Sequence, residues 1–220
     1  MPLTPRPSSL DPRPSPPPIV YVVDDDASFL TAVTRLLRAG GYEVKAFDSA
    51  ARFLQNPLPT DSPGCAIVDL QMPGLSGLEL QDALTKMDNA LPLIFLTGHG
   101  DIPTSVHAMR QGAEDFLTKP VKRQALFDAV QRALARDATQ RARRARQREL
   151  RARFDALTPR EREVLAHVLS GQLNKQIAGD LGTSERTIKA HRANIMAKLE
   201  VQSVAELARL AQEAGDFGHK

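Results

Sequence analysis

Four apolar runs in this chain end in polar residues of different chemical types. Val22-Val23 runs into three acids, Asp24, Asp25 and Asp26. Cys65-Ala66-Ile67-Val68 ends at Asp69, Leu96 is followed by Thr97, and Lys119 follows Leu117-Thr118. An ionised carboxylate directly after buried-strand residues is costly unless something uses or pairs it. If Asp24, Asp25 and Asp69 converge, three like charges cannot all stay ionised without a cation. A hard divalent ion such as Mg²⁺, which takes oxygen ligands and keeps waters, resolves the conflict. A carboxylate nucleophile, a metal, a Lys and a hydroxyl are the ingredients of phosphoryl transfer to an Asp. The plainer explanation is that the acids cap helices and Lys119 pairs with one of them. It fits any one of these residues better than it fits all of them together.

The elements that must position these groups can be read from periodicity. Strands are expected over Ile19–Val23, Tyr42–Phe47, Ala66–Asp69, Leu91–Leu96 and Ala113–Leu117. Helices are expected between them: Phe29–Arg38, stopped by Gly40-Gly41; a short one from the Ser49 cap to about Leu54; one from Ser76 carrying Leu78, Leu80, Leu84 and Met87; and Ile102–Gln111. Strand–helix alternation of this kind predicts an α/β fold with a five-stranded doubly wound parallel sheet. Sites in such sheets lie beyond the carboxyl ends of the strands, where all of these polar residues fall.

After Pro120-Val121 a continuous helix is expected to about Asp155. Phe127, Val130 and Leu134 would pack on the sheet, and beyond them only alanines (Ala138, Ala142, Ala145, Ala152) keep the rhythm, as in a solvated connector. Residues 157–210 carry four helical segments and no strand signal. Thr158-Pro159 with Glu161 reads as a capping box, Gly171 and Gly182 as stops, and Ser184 as the cap of a long basic helix. Two helices around Gly182, the second longer and basic, form a helix-turn-helix signature.

Composition sets the outer limits. With 42% hydrophobic and 25% charged residues, the 220-residue chain is ordinary globular material. The lone Cys65 excludes an internal disulfide, reads as a small buried hydrophobe, and suits the cytoplasm. No apolar stretch approaches the ~20 residues that span a bilayer, so no membrane association is expected. Residues 1–18 hold eight prolines and lack the apolar core of a signal peptide, and are expected to be disordered. The net charge is only +3, yet Arg141–Arg153 holds seven arginines against one acid, pointing the C-terminal part toward an acidic partner such as nucleic acid.

Residues 19 to about 137 resemble a response-regulator receiver domain, flavodoxin-like in fold. The resemblance rests on Val23-Asp24-Asp25-Asp26, Asp69-Leu70-Gln71-Met72-Pro73-Gly74, Leu96-Thr97-Gly98 and Lys119-Pro120, in the family's order and spacing. It implies that Asp69 accepts a phosphoryl group from a sensor histidine kinase. It also implies that Asp25, Asp69 and the Gln71 backbone carbonyl ligate Mg²⁺ (or Mn²⁺), with Asp24 acting mostly through water. Thr97 would hydrogen-bond the phosphoryl group, Lys119 would pair with it, and the Lys119–Pro120 bond would tend to be cis. Phe116 stands at the family's switch aromatic; a plain core Phe is the alternative. Thr97-Gly98-His99-Gly100-Asp101 resembles the NarL/FixJ type, in which His99 either tunes loss of the phosphate or is a solvent-exposed loop residue.

Residues 157–210 resemble a LuxR-type helix-turn-helix domain, on Leu157-Thr158-Pro159-Arg160-Glu161-Arg162-Glu163-Val164-Leu165, Gly171, Asn174-Lys175-Gln176-Ile177-Ala178, Thr187-Ile188-Lys189-Ala190-His191, Asn194-Ile195 and Lys198-Leu199. On the long helix, Ile188, Ile195 and Leu199 make the buried stripe, which turns Arg186, Lys189, Ala190, Arg192 and Ala193 toward a major groove. Lys189 is the expected base-edge contact. Arg186, Lys175 and Arg192 are expected on phosphates, Thr187 on either, and His191 is structural with at most a phosphate contact.

The expected organisation is therefore a tail (1–18), a receiver (19–137), a helical linker (138–155) and a DNA-binding domain (156–220). The expected function is that of a cytoplasmic transcriptional response regulator of a two-component system. It is not an enzyme apart from taking up, and slowly losing, its own phosphoryl group. It would dimerise on phosphorylation, bind promoter DNA and, if an activator, meet RNA polymerase. Two rivals stay open. A phosphohydrolase of the haloacid dehalogenase type uses the same ingredients with its nucleophile on the first strand, at Asp24. The other is a DNA-binding protein with an inert receiver.

Overall fold

The computed structural model describes residues 17–56, 62–87, 91–98 and 102–215. The first sixteen residues of the Pro-rich tail and His99 lie outside that set. The chain divides into two compact units between Arg141 and Ala142.

The first unit alternates β1 (Ile19–Val23), α1 (Ala27–Ala39), β2 (Glu43–Phe47), α2 (Ala50–Leu54), β3 (Gly64–Asp69), α3 (Gly77–Lys86), β4 (Leu93–Thr97), α4 (Ile102–Arg110) and β5 (Asp115–Thr118), then enters α5 (Arg123–Asp155). The sheet order is β2-β1-β3-β4-β5, and all pairs are parallel. Alternate residues of each strand face opposite layers. Tyr21, Val23, Val68 and Phe95 pack with Phe53, Leu80, Leu84 and Ala108 of α2, α3 and α4, whereas Val22, Ile67, Ile94 and Leu96 pack with Val33 and Leu37 of α1 and Leu126, Ala129 and Val130 of α5. β1 is followed by β2 on one side and β3 on the other, which opens a crevice at the carboxyl ends of β1 and β3.

Element boundaries differ from the sequence reading for local reasons. α1 starts at Ala27 because the Asp26 carboxylate accepts from the Ser28 and Phe29 N–H groups. β3 starts two residues earlier, at Gly64, because Gly64 pairs with Ile19. β5 starts at Asp115, since Gly112 takes φ +93° and Ala113 is still completing the turn from α4. Met87, expected on the apolar face of α3, is the C-cap and is 63% exposed.

On α5 the buried stripe shares Val130 with the expected one but otherwise runs along positions one residue earlier. Leu126, Ala129, Val130 and Ala133 are fully buried, while Phe127 and Leu134 flank them half-exposed. Both series satisfy helical spacing, and two alanines let the helix approach the sheet closely. Phe127 packs instead beside the Tyr42 ring, 5.9 Å away, and over Gly40, where an added Cβ would lie 2.2 Å from its ring edge. The next position of the stripe is Asp137, buried at 3% exposure. Its carboxylate accepts from the Gly64 N–H at 2.8 Å and from Arg141 Nε at 2.6 Å. Alanine rhythm alone gave no sign of this buried acid.

The second unit contains the end of α5 and α6 (Pro159–Leu169), α7 (Asn174–Asp180), α8 (Glu185–Leu199) and α9 (Val204–Ala214). The stretch 138–155, expected as a solvated linker, is not uniform. Every side chain from Ala142 to Glu149 is exposed, but Leu150 and Phe154 are buried in the second core with Leu157, Leu165, Ile177, Ile188 and Leu207. Leu150, Phe154 and Leu157 recur at i, i+4 and i+7, an anchoring stripe that the sequence reading passed over. No helix among the described residues is long and apolar enough to cross a membrane.

Candidate functional site

At the carboxyl edge of the sheet, β1 delivers Asp24, β3 ends in Asp69, β4 in Thr97, and Lys119 follows β5. Parallel register aligns these ends, with Val23 beside Val68, Asp69 beside Leu96 and Thr97 beside Thr118. The Lys119 N–H donates to the Thr97 carbonyl at 2.7 Å, and the Lys119–Pro120 peptide is cis. Lys119 reaches back across β4, so that its Nζ lies 2.6 Å from Asp24 Oδ2 and 2.9 Å from Asp69 Oδ2. Asp24 is 1% exposed, Asp69 9% and Thr97 0%, so the pocket is largely withdrawn from solvent.

The three expected acids converge. Asp24, Asp25 and Asp69 each offer an oxygen within 4.8 Å of the others; Asp24 and Asp69 are buried and Asp25 faces solvent. An all-oxygen set with one open side fits a hard divalent cation that retains waters. Asp24 Oδ1 also accepts from the Asp26 N–H, and Asp69 Oδ1 accepts from the Gln71 N–H at 3.3 Å, so both carboxylates are oriented. Gln71 lies exposed just beyond β3. Burial pushes the Asp24 carboxyl above its ordinary range, against the hydrogen bond from Lys119. Burial also opposes the charge on Lys119, but its hydrogen bonds to Asp24 and Asp69 outweigh that and hold the ammonium above its ordinary value. Asp26, grouped with the other acids by sequence, is spent on capping α1.

Phe116 is half-buried against the core on the α3–α4 side, its ring 6.5 Å from Phe95. A cavity of about 260 Å³ lined by Gln81, Leu84, Thr85, Leu93 and Gln111 lies at the opposite, amino ends of the strands and shares no residue with the acidic edge.

In the second unit α8 is capped by Ser184, whose Oγ accepts from the Thr187 N–H at 3.2 Å and meets the Thr187 hydroxyl at 2.9 Å. Ile188, Ile195 and Leu199 are buried, which leaves Arg186, Thr187, Lys189, Ala190 and Ala193 exposed on the other side of the helix. Lys175 is exposed on α7. Arg192 departs from the expected open face: it is half-buried and donates to Asn174 Oδ1 at 3.0 Å, joining α8 to α7. His191 is half-buried beside the stripe.

Sequence reasoning missed one tie in this unit. Glu161 is 4% exposed, accepts from the Thr158 N–H to close the capping box, and pairs with Lys198 Nζ at 2.7 Å. The hydrogen bond from Lys198, followed by that from the Thr158 backbone, holds its carboxyl below the ordinary range. The cap of α6 is thereby joined to the end of α8.

The comparisons with known proteins agree with both halves. Residues 20–131 match the family model of the response regulator receiver domain, and residues 155–211 match that of bacterial regulatory proteins of the luxR family. Nodulation protein W of Bradyrhizobium diazoefficiens is 44% identical over 197 residues, covering 90% of this chain and 86% of that protein. Transcriptional regulatory protein FixJ of the same organism is 40% identical over 196 residues, covering 89% and 95%. The solved structure of response regulator StyR superposes with a TM-score of 0.82 at 46% identity, covering 90% of this chain and all of that one. The chain belongs to the response regulators of the NarL/FixJ family, a receiver joined to a LuxR-type DNA-binding domain in one transcriptional regulator.

Proposed function

We propose that Asp69 is the phosphoacceptor and that its phosphorylation governs promoter binding through α8. An Asp69 carboxylate oxygen attacks the phosphorus of a phosphohistidine on the cognate kinase. The P–N bond breaks, and the imidazole nitrogen keeps the electron pair and is reprotonated. Lys119 neutralises charge gathering on the phosphoryl oxygens, and the Thr97 hydroxyl offers them a hydrogen bond. Asp25, Asp69 and the Gln71 carbonyl would hold Mg²⁺ or Mn²⁺, with Asp24 orienting its waters; the ion would supply further charge neutralisation on the same oxygens. Slow hydrolysis of the acyl phosphate would reset the protein. The observation that carries this reading is the Lys119 ammonium bridging Asp24 and Asp69 at adjacent strand ends, beside buried Thr97.

Phosphorylation would bias the receiver between two conformations, with Phe116 as the switch aromatic. The face of α4 and β5 is the proposed dimer surface; Val106 and Met109, one turn apart on α4, are 42% and 46% exposed. Paired second units would then read two half-sites, Lys189 at a base edge, Arg186, Lys175 and Arg192 at phosphates, Thr187 at either and His191 at most at a phosphate. An activator would present this assembly to RNA polymerase in the cytoplasm. The test is incubation of the full chain with acetyl phosphate and Mg²⁺, followed by mass spectrometry. The expected result is one phosphoryl group on Asp69, absent from Asp69→Asn and absent when the metal is chelated. Uptake lost on Asp24→Asn but retained in Asp69→Asn would contradict the reading and favour a phosphohydrolase with its nucleophile on β1.

A further inference from the structure

Lys119 is held on three sides, and the third is not a charge. Two sides are Asp24 and Asp69, and the third is the ring of Phe29, whose centroid lies 4.1 Å from Nζ. Phe29 stands in the first turn of α1, and two features fix it there. Its backbone N–H donates to the Asp26 carboxylate that caps the helix, at 3.2 Å, and its side chain packs half-buried against the α1–α5 layer of the core. The ring is therefore placed by the fold and not by Lys119.

An ammonium has three N–H donors, and the two carboxylates accept from two of them. An aromatic face attracts the cation through its quadrupole without offering an acceptor atom. That difference matters if Asp69 becomes an acyl phosphate. Lys119 must then exchange Asp69 Oδ2 for a phosphoryl oxygen, and a third carboxylate would compete for it. A π face restrains the ammonium while leaving it free to turn, and it keeps bulk water off that side.

We propose that Phe29 is a positioning residue for phosphoryl transfer, its ring holding the Lys119 ammonium over the edge where the phosphoryl group forms. The proposal rests on Asp69 being the phosphoacceptor. It makes a distinction that plain core packing does not: an apolar side chain of similar size should fold the protein yet fail to restrain Lys119, whereas another aromatic ring should succeed.

The test measures the initial rate at which Asp69 gains a phosphoryl group from acetyl phosphate and Mg²⁺, by intact-mass spectrometry on the full chain. Wild type is compared with Phe29→Leu, Phe29→Met and Phe29→Tyr, well below the melting transition of each. Phe29→Tyr should stay close to wild type. Phe29→Leu and Phe29→Met should be slower by about 3- to 10-fold, the rate equivalent of a partly buried cation–π contact. Leu and Met variants that match wild type, or a Tyr variant as slow as they are, would overturn the role of Phe29 and leave Asp69 as phosphoacceptor untouched. A wild-type chain that takes no phosphoryl on Asp69 would overturn both.

Discussion

Asp24, Asp69, Thr97 and Lys119 were legible in the sequence because each closes or follows an apolar run, and a parallel sheet gathers the ends of its strands. Asp26 and Phe29 were not, because their roles depend on which neighbour the fold supplies: the first turn of α1 for one, the Lys119 ammonium for the other. On α8 the exposed face was legible from the spacing of Ile188, Ile195 and Leu199, but the bond from Arg192 to Asn174 depends on how α7 crosses α8. Lys189→Ala is expected to cost about 1–3 kcal/mol of discrimination at one base pair, while Arg186→Ala weakens binding on all sequences alike and lowers the salt slope by about one. Fluorescence anisotropy on cognate and scrambled duplexes over a salt series separates the two. Glu161 gives a pH signature. Its folded-state carboxyl is held below the ordinary value of 4.5, so its contribution is present above that value and is lost as pH falls through the depressed one. The melting temperature of wild type should exceed that of Glu161→Gln at neutral pH, and the two should converge on acidification. A gap that persists unchanged into acid would remove the ionised pair of Glu161 with Lys198 as its cause.

Among the elements, α5 carries the chain from one compact unit into the other and is anchored differently at its two ends. Its first half lies on the sheet through Leu126, Ala129, Val130 and Ala133, and Asp137 ties it to the amino end of β3. Its last turns enter the second core through Leu150 and Phe154, and the turns between are exposed. The sequence showed the length of this helix and its contacts at Val130 and Leu134, but not Leu126, Asp137, Leu150 or Phe154. Asp137 resembles a solvated acid among alanines; it falls seven residues after Val130 on the buried face, but nothing in the spacing shows the Gly64 N–H that it meets. Arg146 and the half-buried Arg153 are engaged with the exposed Glu149, Glu200 and Glu213, where such pairs contribute little. The buried tie should matter more. Asp137→Ala leaves the Gly64 N–H without its acceptor and is expected to cost about 1–3 kcal/mol, read as a lower urea midpoint for the first unit. Asp137→Asn keeps an acceptor for Gly64 and should lose less. Equal losses would mean that Arg141, not Gly64, is the partner that counts.

For the molecule as a whole, two specific motif sets on one chain make the fold class and the family legible in the sequence. The sequence could not define the boundary between the units, because the helix that crosses it has no break in propensity and Leu150 and Phe154 are only two apolar residues in an arginine-rich run. At this scale the proposed function is a coupling, with the acidic edge as the input and the exposed face of α8 as the output. On this proposal, a phosphoryl group on Asp69 changes how α8 binds DNA. The most direct measurement takes the wild-type chain and Asp69→Asn, each treated identically with acetyl phosphate and Mg²⁺. It compares their affinities for a duplex selected by the phosphorylated protein, at one fixed salt concentration. Treatment is expected to tighten binding by the wild type and to leave Asp69→Asn unchanged. Equal affinities before and after treatment in a wild type verified to carry the phosphoryl group would contradict the proposal.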